Sequence, residues 1–387
     1  RTHHLAAGHD PVVRQAVWAA VFLAAASPAA AQTSPRELVE MTDFSGLAVS
    51  PDGRWLLYRR ERPSTMSGQI ETAWYLVGTD GATPPRRIGD GGHASWNGTG
   101  IVEAGSAAWS PESDRFYFRA RVDGATGLWE GRPSGALAPL IVRDADIERF
   151  AVAPDGGIIF ELGPSRAAIA RAEENERDSG ILADGRVDLA QTLYRGAMIA
   201  GRPASQRLNG DWFDREALLD RLPRQIVRRD PTTARERPAH AIEAELLRPS
   251  PQPLPEPFRA AASQAGICAV EAPCGDPDAP KIWKGMAVGD GRFVVTTRDR
   301  KVRQSVFLWG KATGLTRLAA SPGLLSGGGE MAPCAASQTA AFCVAESAAM
   351  PPQLQRIALD GSGTLVLDRP NDLPDHDDLL TEAIEWQ

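Results

Sequence analysis

No stretch after the first thirty residues is long and apolar enough to cross a bilayer as a helix. There is no long basic run either, and the formal net charge is −7. That argues against nucleic acid as the main partner. Histidine is scarce. Of the six, His3, His4 and His9 precede any folded segment, and His93, His240 and His376 are scattered among polar neighbours. Neither an HExxH pair nor a phosphate-binding glycine loop occurs. The G-x-S-x-G frame of a nucleophile elbow is missing as well, and Gly361-Ser362-Gly363 reads as a turn between two strands. No Ser/His/Asp set can be assembled. The chain therefore offers no catalytic residue of its own, and no metal or cofactor is expected.

Cysteine is nearly absent. The four, Cys268, Cys274, Cys334 and Cys343, fall in two close pairs. They lack the CxxC spacing of zinc folds, so a disulfide within each pair is the expectation and a metal site the competing one. Asn97-Gly98-Thr99 has the form of a glycosylation sequon and is read as a turn.

What is present begins with an export signal. Arg14 supplies a positive flank, Ala16 to Ala26 is a short apolar run, and Ala29-Ala30-Ala31 are small. This predicts a signal peptide over residues 1–31, with its upstream residues, cut before Gln32. A buried N-terminal helix is the alternative. The first residue, Arg1, reads as a reading-frame or fragment boundary. An exported chain of this type is expected in a bacterial periplasm, with no membrane span after cleavage.

Glycine (37) and proline (30) are plentiful, which suits many short strands joined by tight turns. A pattern recurs: apolar run, Ser-Pro-Asp-Gly-like turn, apolar run. Its clearest copy is Gly46–Tyr58, around Ser50-Pro51-Asp52-Gly53. Others surround Ser110-Pro111-Glu112-Ser113 and Ala153-Pro154-Asp155-Gly156, with weaker ones at Gly289-Asp290-Gly291 and Ser337-Gln338-Thr339. Proline presets the first corner, aspartate bonds the local backbone, and glycine accepts the left-handed conformation. A third strand follows several copies, as in Thr72–Val77 and Ser305–Trp309, and a fourth follows a polar turn, as in Thr364–Asp368. This predicts an all-β fold, a β-propeller over residues 32–378 with seven or eight four-stranded blades. A sandwich or a solenoid fits the spacing less well. Residues 165–250 break the rhythm with charge and helix formers, for example Ala167–Arg177 and Trp212–Arg221, and predict a partly helical insert. Long solvated loops and a functional lid are both open readings of it.

The repeat and the tail resemble the N-terminal propeller of prolyl-oligopeptidase-type serine peptidases. The tail runs Cys334…Phe342-Cys343-Val344-Ala345-Glu346-Ser347, then Pro351-Pro352-Gln353-Leu354, Ile357-Ala358-Leu359 and Asn371. Ala383–Gln387 looks like the first strand of an α/β-hydrolase domain, so residues 379–387 are expected to begin that domain, the rest of which this chain lacks. Within the superfamily the chain is most similar to lasso peptide isopeptidases. The segments carrying that likeness are Met41–Phe44, Glu71–Val77, Gly180–Leu182, Val187–Gln191, Gly201-Arg202, Gln206-Arg207 and Trp212-Phe213. The resemblance implies an exported serine hydrolase that opens the isopeptide bond of a threaded peptide. The Ser, His and Asp would come from the hydrolase domain, while the propeller caps the site and faces the folded substrate. No catalytic residue is carried over.

Two functions follow. The first is the substrate-gating half of such an isopeptidase, with a threaded lasso peptide and the C-terminal hydrolase domain as its partners. Arg195, Arg207 and Trp212 are its candidate substrate contacts, since exposed Arg and aromatic side chains often anchor interfaces; packing within the insert is their other reading. The second is a stand-alone periplasmic propeller, a non-catalytic binding or scaffold protein.

Overall fold

The computed structural model describes residues 33–94, 102–122, 125–168, 171, 224–248, 254–268, 279–329 and 332–371, together with four two-residue strands between 198 and 212. The expected signal peptide, Arg195, Cys274 and the expected start of a hydrolase domain lie outside the described residues.

The strands assemble as blades of a β-propeller. Blade 1 holds β1 (Asp43–Val49), β2 (Trp55–Ser64), β3 (Gln69–Gly78) and β4 (Arg86–His93). Blade 2 holds β5 (Ala107–Trp109), β6 (Phe116–Val122), β7 (Ala125–Gly131) and β8 (Leu137–Ile141). Blade 3 opens with β9 (Ala145–Val152) and β10 (Ile158–Ser165). Two small hairpins come next, β11 (Met198–Ile199) with β12 (Arg202–Pro203) and β13 (Arg207–Leu208) with β14 (Asp211–Trp212). Blade 3 then closes with β15 (Gln225–Arg229) and β16 (Glu236–Pro238). Blade 4 holds β17 (Lys281–Ala287), β18 (Phe293–Arg298), β19 (Gln304–Gly310) and β20 (Gly314–Ala320). In blade 5 the innermost strand is broken into β21 (Leu324–Ser326) and β22 (Ala335–Ala336), followed by β23 (Ala340–Ser347), β24 (Met350–Ala358) and β25 (Thr364–Asp368).

Five such blades are formed by the described residues, against the seven or eight expected. The expectation divided the chain evenly among blades of forty to fifty residues. Blade 3 instead takes its strands from either side of a long insertion, and residues 241–247 and 256–264 fold into helical turns rather than strands. These are α2 (Ala241–Ala244), a 3₁₀ turn (Glu245–Leu247) and α3 (Glu256–Gln264); α1 (Pro35–Val39) precedes blade 1. Helix was thus expected in the right region, but Trp212, expected to open a helical stretch, ends a hairpin strand.

Four apolar interfaces between blades, and two that pack helical segments on single blades, carry the packing. Trp74 and Leu76 meet Trp109, Phe116 and Phe118 between blades 1 and 2. Tyr117 and Leu128 meet Ile158 and Phe160 between blades 2 and 3. Blade 3 then buries Leu247 of the 3₁₀ turn, and blade 4 buries Phe258 and Ala262 of α3. Blades 4 and 5 share Val294, Val306, Ala341 and Ile357. Finally Phe44, Leu56 and Tyr58 of blade 1 pack on Phe342, Val344 and Leu354 of blade 5. Each fully buried large side chain contributes about 1.5–3 kcal/mol, so every interface is substantial.

The repeated turn works as its composition suggests. Ser50 Oγ donates to Asp52 at 2.6 Å, Asp52 accepts from the Arg54 amide at 3.0 Å, and Gly53 takes φ +73°. In the second copy Ser113 occupies the left-handed position at φ +61°. Its hydroxyl accepts from the Asp52 amide at 3.0 Å, which links the turns of neighbouring blades.

Cys334 and Cys343 form the expected disulfide, across the pair that continues the β22–β23 register. Cys268 is also disulfide-bonded.

Candidate binding face

Antiparallel blades put every repeated turn on one face of the ring. The opposite face holds Thr42, where the chain enters blade 1, and Asn371, where it leaves blade 5. Four further features converge on this end face, and none is a catalytic constellation.

The first is the tie between the entry to blade 1 and the exit from blade 5. The Asn371 side chain accepts from the Thr42 amide at 2.7 Å and donates to the Thr42 carbonyl at 2.9 Å, so it mimics one rung of a sheet. Asn371 also reaches the Pro352 carbonyl at 3.2 Å.

The second is a cleft of about 790 Å³ beside that tie. Helix α1 supplies one wall. Ser34 caps it, accepting from the Glu37 amide at 3.2 Å while Glu37 accepts from the Ser34 amide at 2.7 Å. The helix sets Glu40 against the β2–β3 turn. Glu40 accepts from the Thr65 hydroxyl and, at 2.9 Å, from the Thr65 amide. These bonds, with the nearby Arg36 charge, hold its carboxyl down to about 2. The floor is Arg60 and Tyr75. The Arg60 guanidinium lies 4.0 Å from the centre of the Tyr75 ring and bonds Asp368 at 2.5 and 2.9 Å. Its pKa is raised, the bond and charge of Asp368 outweighing burial. Asp368 also accepts from Tyr58, whose phenol is pushed up by burial and then by the Asp368 charge. The far wall is where blades 1 and 2 touch through one parallel pairing, Gly92 with Arg121. Gly92 has φ +74°, and a Cβ there would stand 1.6 Å from the Arg121 carbonyl oxygen, so only glycine lets the blades approach this closely.

The third is a cavity of about 440 Å³ between blades 1 and 5, rimmed by the exposed Leu38 and Val39. Inside it Glu61 is buried and answered by Arg59 at 2.6 Å, while Ser45 accepts from the Gly105 amide at 2.9 Å and donates to Glu61. The loop after β21 closes one side, with Gly328 against the Phe44 carbonyl.

The fourth is the root of the blade 3 insertion. Strand β10 runs to the end face and β15 starts from it. Arg166 bonds Asp146 at 2.7 Å and Arg224 bonds Glu148 at 2.7 Å, so both roots are pinned to β9.

Of the three residues put forward from sequence, Arg207 and Trp212 are brought together as direct partners across the β13–β14 hairpin. Sequence reasoning did not single out Arg60, Tyr75, Asp368 or Glu40. One signal was available: β2 ends in Arg59-Arg60-Glu61-Arg62, a charged run in a strand that packs against blades on both sides. Among the described residues no group of three or more His, Cys, Asp or Glu side chains could hold a metal ion.

No protein-family profile and no curated protein matches the chain. Solved structures do. The AtxE2 isopeptidase in its apo form is similar over 89% of this chain and 55% of its own, at 18% identity and a TM-score of 0.62. A variant of that isopeptidase with Astexin3-dC4 bound is similar over 87% of this chain and 54% of its own, at 17% identity and a TM-score of 0.59. An acylaminoacyl peptidase from Pyrococcus horikoshii matches more loosely, over 88% of this chain and 55% of its own, at 10% identity and a TM-score of 0.47. The chain spans about half the length of these structures. At such identities the likeness shows the fold, and the isopeptidase resemblance read from the residues is to the same kind of protein.

Proposed function

We propose that the chain is the substrate-gating propeller of an exported serine isopeptidase that hydrolyses the isopeptide bond of lasso peptides. The observation that carries this reading is the convergence on one face. The Thr42–Asn371 tie, the cleft, the inner cavity and the roots of the insertion all lie where a second domain joined at Asn371 would dock. In this reading an α/β-hydrolase domain continues from about residue 379 and supplies the Ser, His and Asp. The propeller adds no group to the chemistry. It walls off extended or bulky chains and admits a compact, threaded one. Residues 1–31 are the export signal and the periplasm is the site of action. Arg207 and Trp212, paired on their hairpin, and Arg195 contact the peptide from the insertion. The disulfide at Cys334 and Cys343 supports an oxidising compartment.

The test is cleavage by the full-length protein. Incubated with a threaded lasso peptide, it is expected to add one water and release the ring, and to leave an unthreaded branched isomer largely intact. Equal cleavage of both isomers would remove the gating role. A reading frame with no downstream G-x-S-x-G, and no cleavage of either isomer, would favour the second reading, a stand-alone binding propeller.

A further inference from the structure

The first and last blades share no strand, since β1–β4 come from residues 43–93 and β21–β25 from residues 324–368. Their seam therefore depends on side chains and loop contacts. At its outer part the seam is firmly bonded through Tyr58 and Arg60 to Asp368, and at its inner part Thr42, next to Asp43, is bonded to Asn371. Its inner part also lines the 440 Å³ cavity, and there the chemistry is different. The ionisable side chains of that wall are Asp43 on β1, Glu61 on β2 and Glu346 on β23. Glu61 has its cation, Arg59. Among the described residues neither Asp43 nor Glu346 forms an ion pair. Asp43 accepts from the Phe44 amide at 2.7 Å. Two carboxylates from opposite sides of the seam thus share one cavity without a counter-charge.

We propose that the seam is a pH-sensitive latch, in which protonated Asp43 and Glu346 let the first and last blades close at their shared cavity and their ionisation drives the blades apart there.

Both groups carry the expected imprint. Burial raises Asp43 most; the Phe44 amide pulls it back, and the Glu61 charge adds to the rise. Burial also raises Glu346, and the Asp43 charge adds to it. For a carboxyl whose folded value is raised, the folded chain holds the proton more tightly than the unfolded chain. The group then costs no stability below the ordinary carboxylate range. It costs progressively more as pH rises through that range to the raised value, and the full amount above it. The loop at Gly328, which rests on the Phe44 carbonyl, stands beside these two groups and is the first contact to yield. The latch belongs to this chain alone and does not depend on the peptidase reading.

The experiment compares the native chain with Glu346→Gln, Asp43→Asn and the double variant by urea denaturation at about pH 4 and about pH 8. Glu346→Gln is expected to raise the urea midpoint at the higher pH and to leave it unchanged at the lower one. Asp43→Asn is expected to gain less in the Glu346→Gln background than in the native chain. Asp43→Asn disturbs the Phe44 amide, so if it fails to fold, the Glu346→Gln profile and hydrogen exchange carry the test. In exchange, protection at residues 43–46 and 326–329, corrected for the chemical rate, should fall at the higher pH in the native chain and recover in Glu346→Gln. A Glu346→Gln midpoint difference that is the same at both pH values, or exchange protection there that does not respond to pH, overturns the latch.

Discussion

The hydroxyl of Tyr58 donates to the carboxylate of Asp368 at 2.5 Å, across 310 residues of sequence. Arg60 bonds the same carboxylate, so one buried aspartate on the last blade holds two side chains of the first. Removing it leaves a buried phenol and a guanidinium without their acceptor. Asp368→Ala should cost about 3–5 kcal/mol, as expected when one partner of a buried pair is deleted. Tyr58→Phe removes a single bond to a charged group and should cost about 1.5–3 kcal/mol. Urea midpoints of the two variants check the order. Equal costs would mean that Arg60 contributes nothing to closure.

The contact between blades 1 and 2 depends on a missing side chain. Gly92→Ala places a Cβ against the Arg121 backbone, with no flexible side chain there to give way. Gly68 has a similar φ, +66°, but nothing within 4 Å of the added atom. Gly68→Ala should therefore cost only the left-handed backbone term of about 1–2 kcal/mol. Gly92→Ala should exceed it and reach about 4 kcal/mol, the exceptional range for a single substitution. Thermal unfolding of both proteins makes the comparison.

Helix α1 is held to the cleft by Glu40, whose carboxyl is drawn down to about 2 by the Thr65 hydroxyl and amide. A lowered folded value means stability that is present above the unfolded carboxylate value, about 4.3, and lost as pH falls through the folded one. Helix α1 should stay docked at neutral pH and release between about pH 4 and pH 2. Glu40→Gln should release it at neutral pH as well. Hydrogen exchange of residues 36–41 reads both, and unchanged protection in Glu40→Gln would contradict the anchoring role.

The disulfide between Cys334 and Cys343 closes a short loop with a sequence separation of 9. Loop-closure entropy gives it about 2–3 kcal/mol. Replacing both cysteines with alanine should lower stability by about that amount, because the void left by each Sγ is small and both positions are buried in the blade 4–blade 5 core. A loss near zero would show that the bond adds nothing beyond the packing.

Much of the fold was legible in the sequence because its signals are local. Ser50-Pro51-Asp52-Gly53 carries its own turn, and the runs on either side carry the strands. The pairing of Cys334 with Cys343 followed from spacing that suits a single hairpin. Blade 3 was less legible, since an interrupted blade, whose β10 and β15 lie far apart in sequence, looks like two irregular regions. The candidate face was least legible. Tyr58, Arg60, Asp368 and Asn371 mean nothing singly and acquire their roles only when the first and last blades come together. Arg207 and Trp212 were noticed as residue types that anchor interfaces, and their pairing across one hairpin is a fact of the backbone that composition does not carry.

The most direct test of the central claim is binding of a threaded lasso peptide to this chain, measured by calorimetry beside the same peptide in unthreaded form. The account predicts that the threaded form binds at least about tenfold more tightly, a difference of about 1.4 kcal/mol. It also predicts that exchange protection induced by the peptide falls on the end face, around residues 40–42, 60–75 and 370–371, and not on the repeated turns. Equal affinity for the two forms, or protection confined to the turn face, would contradict it.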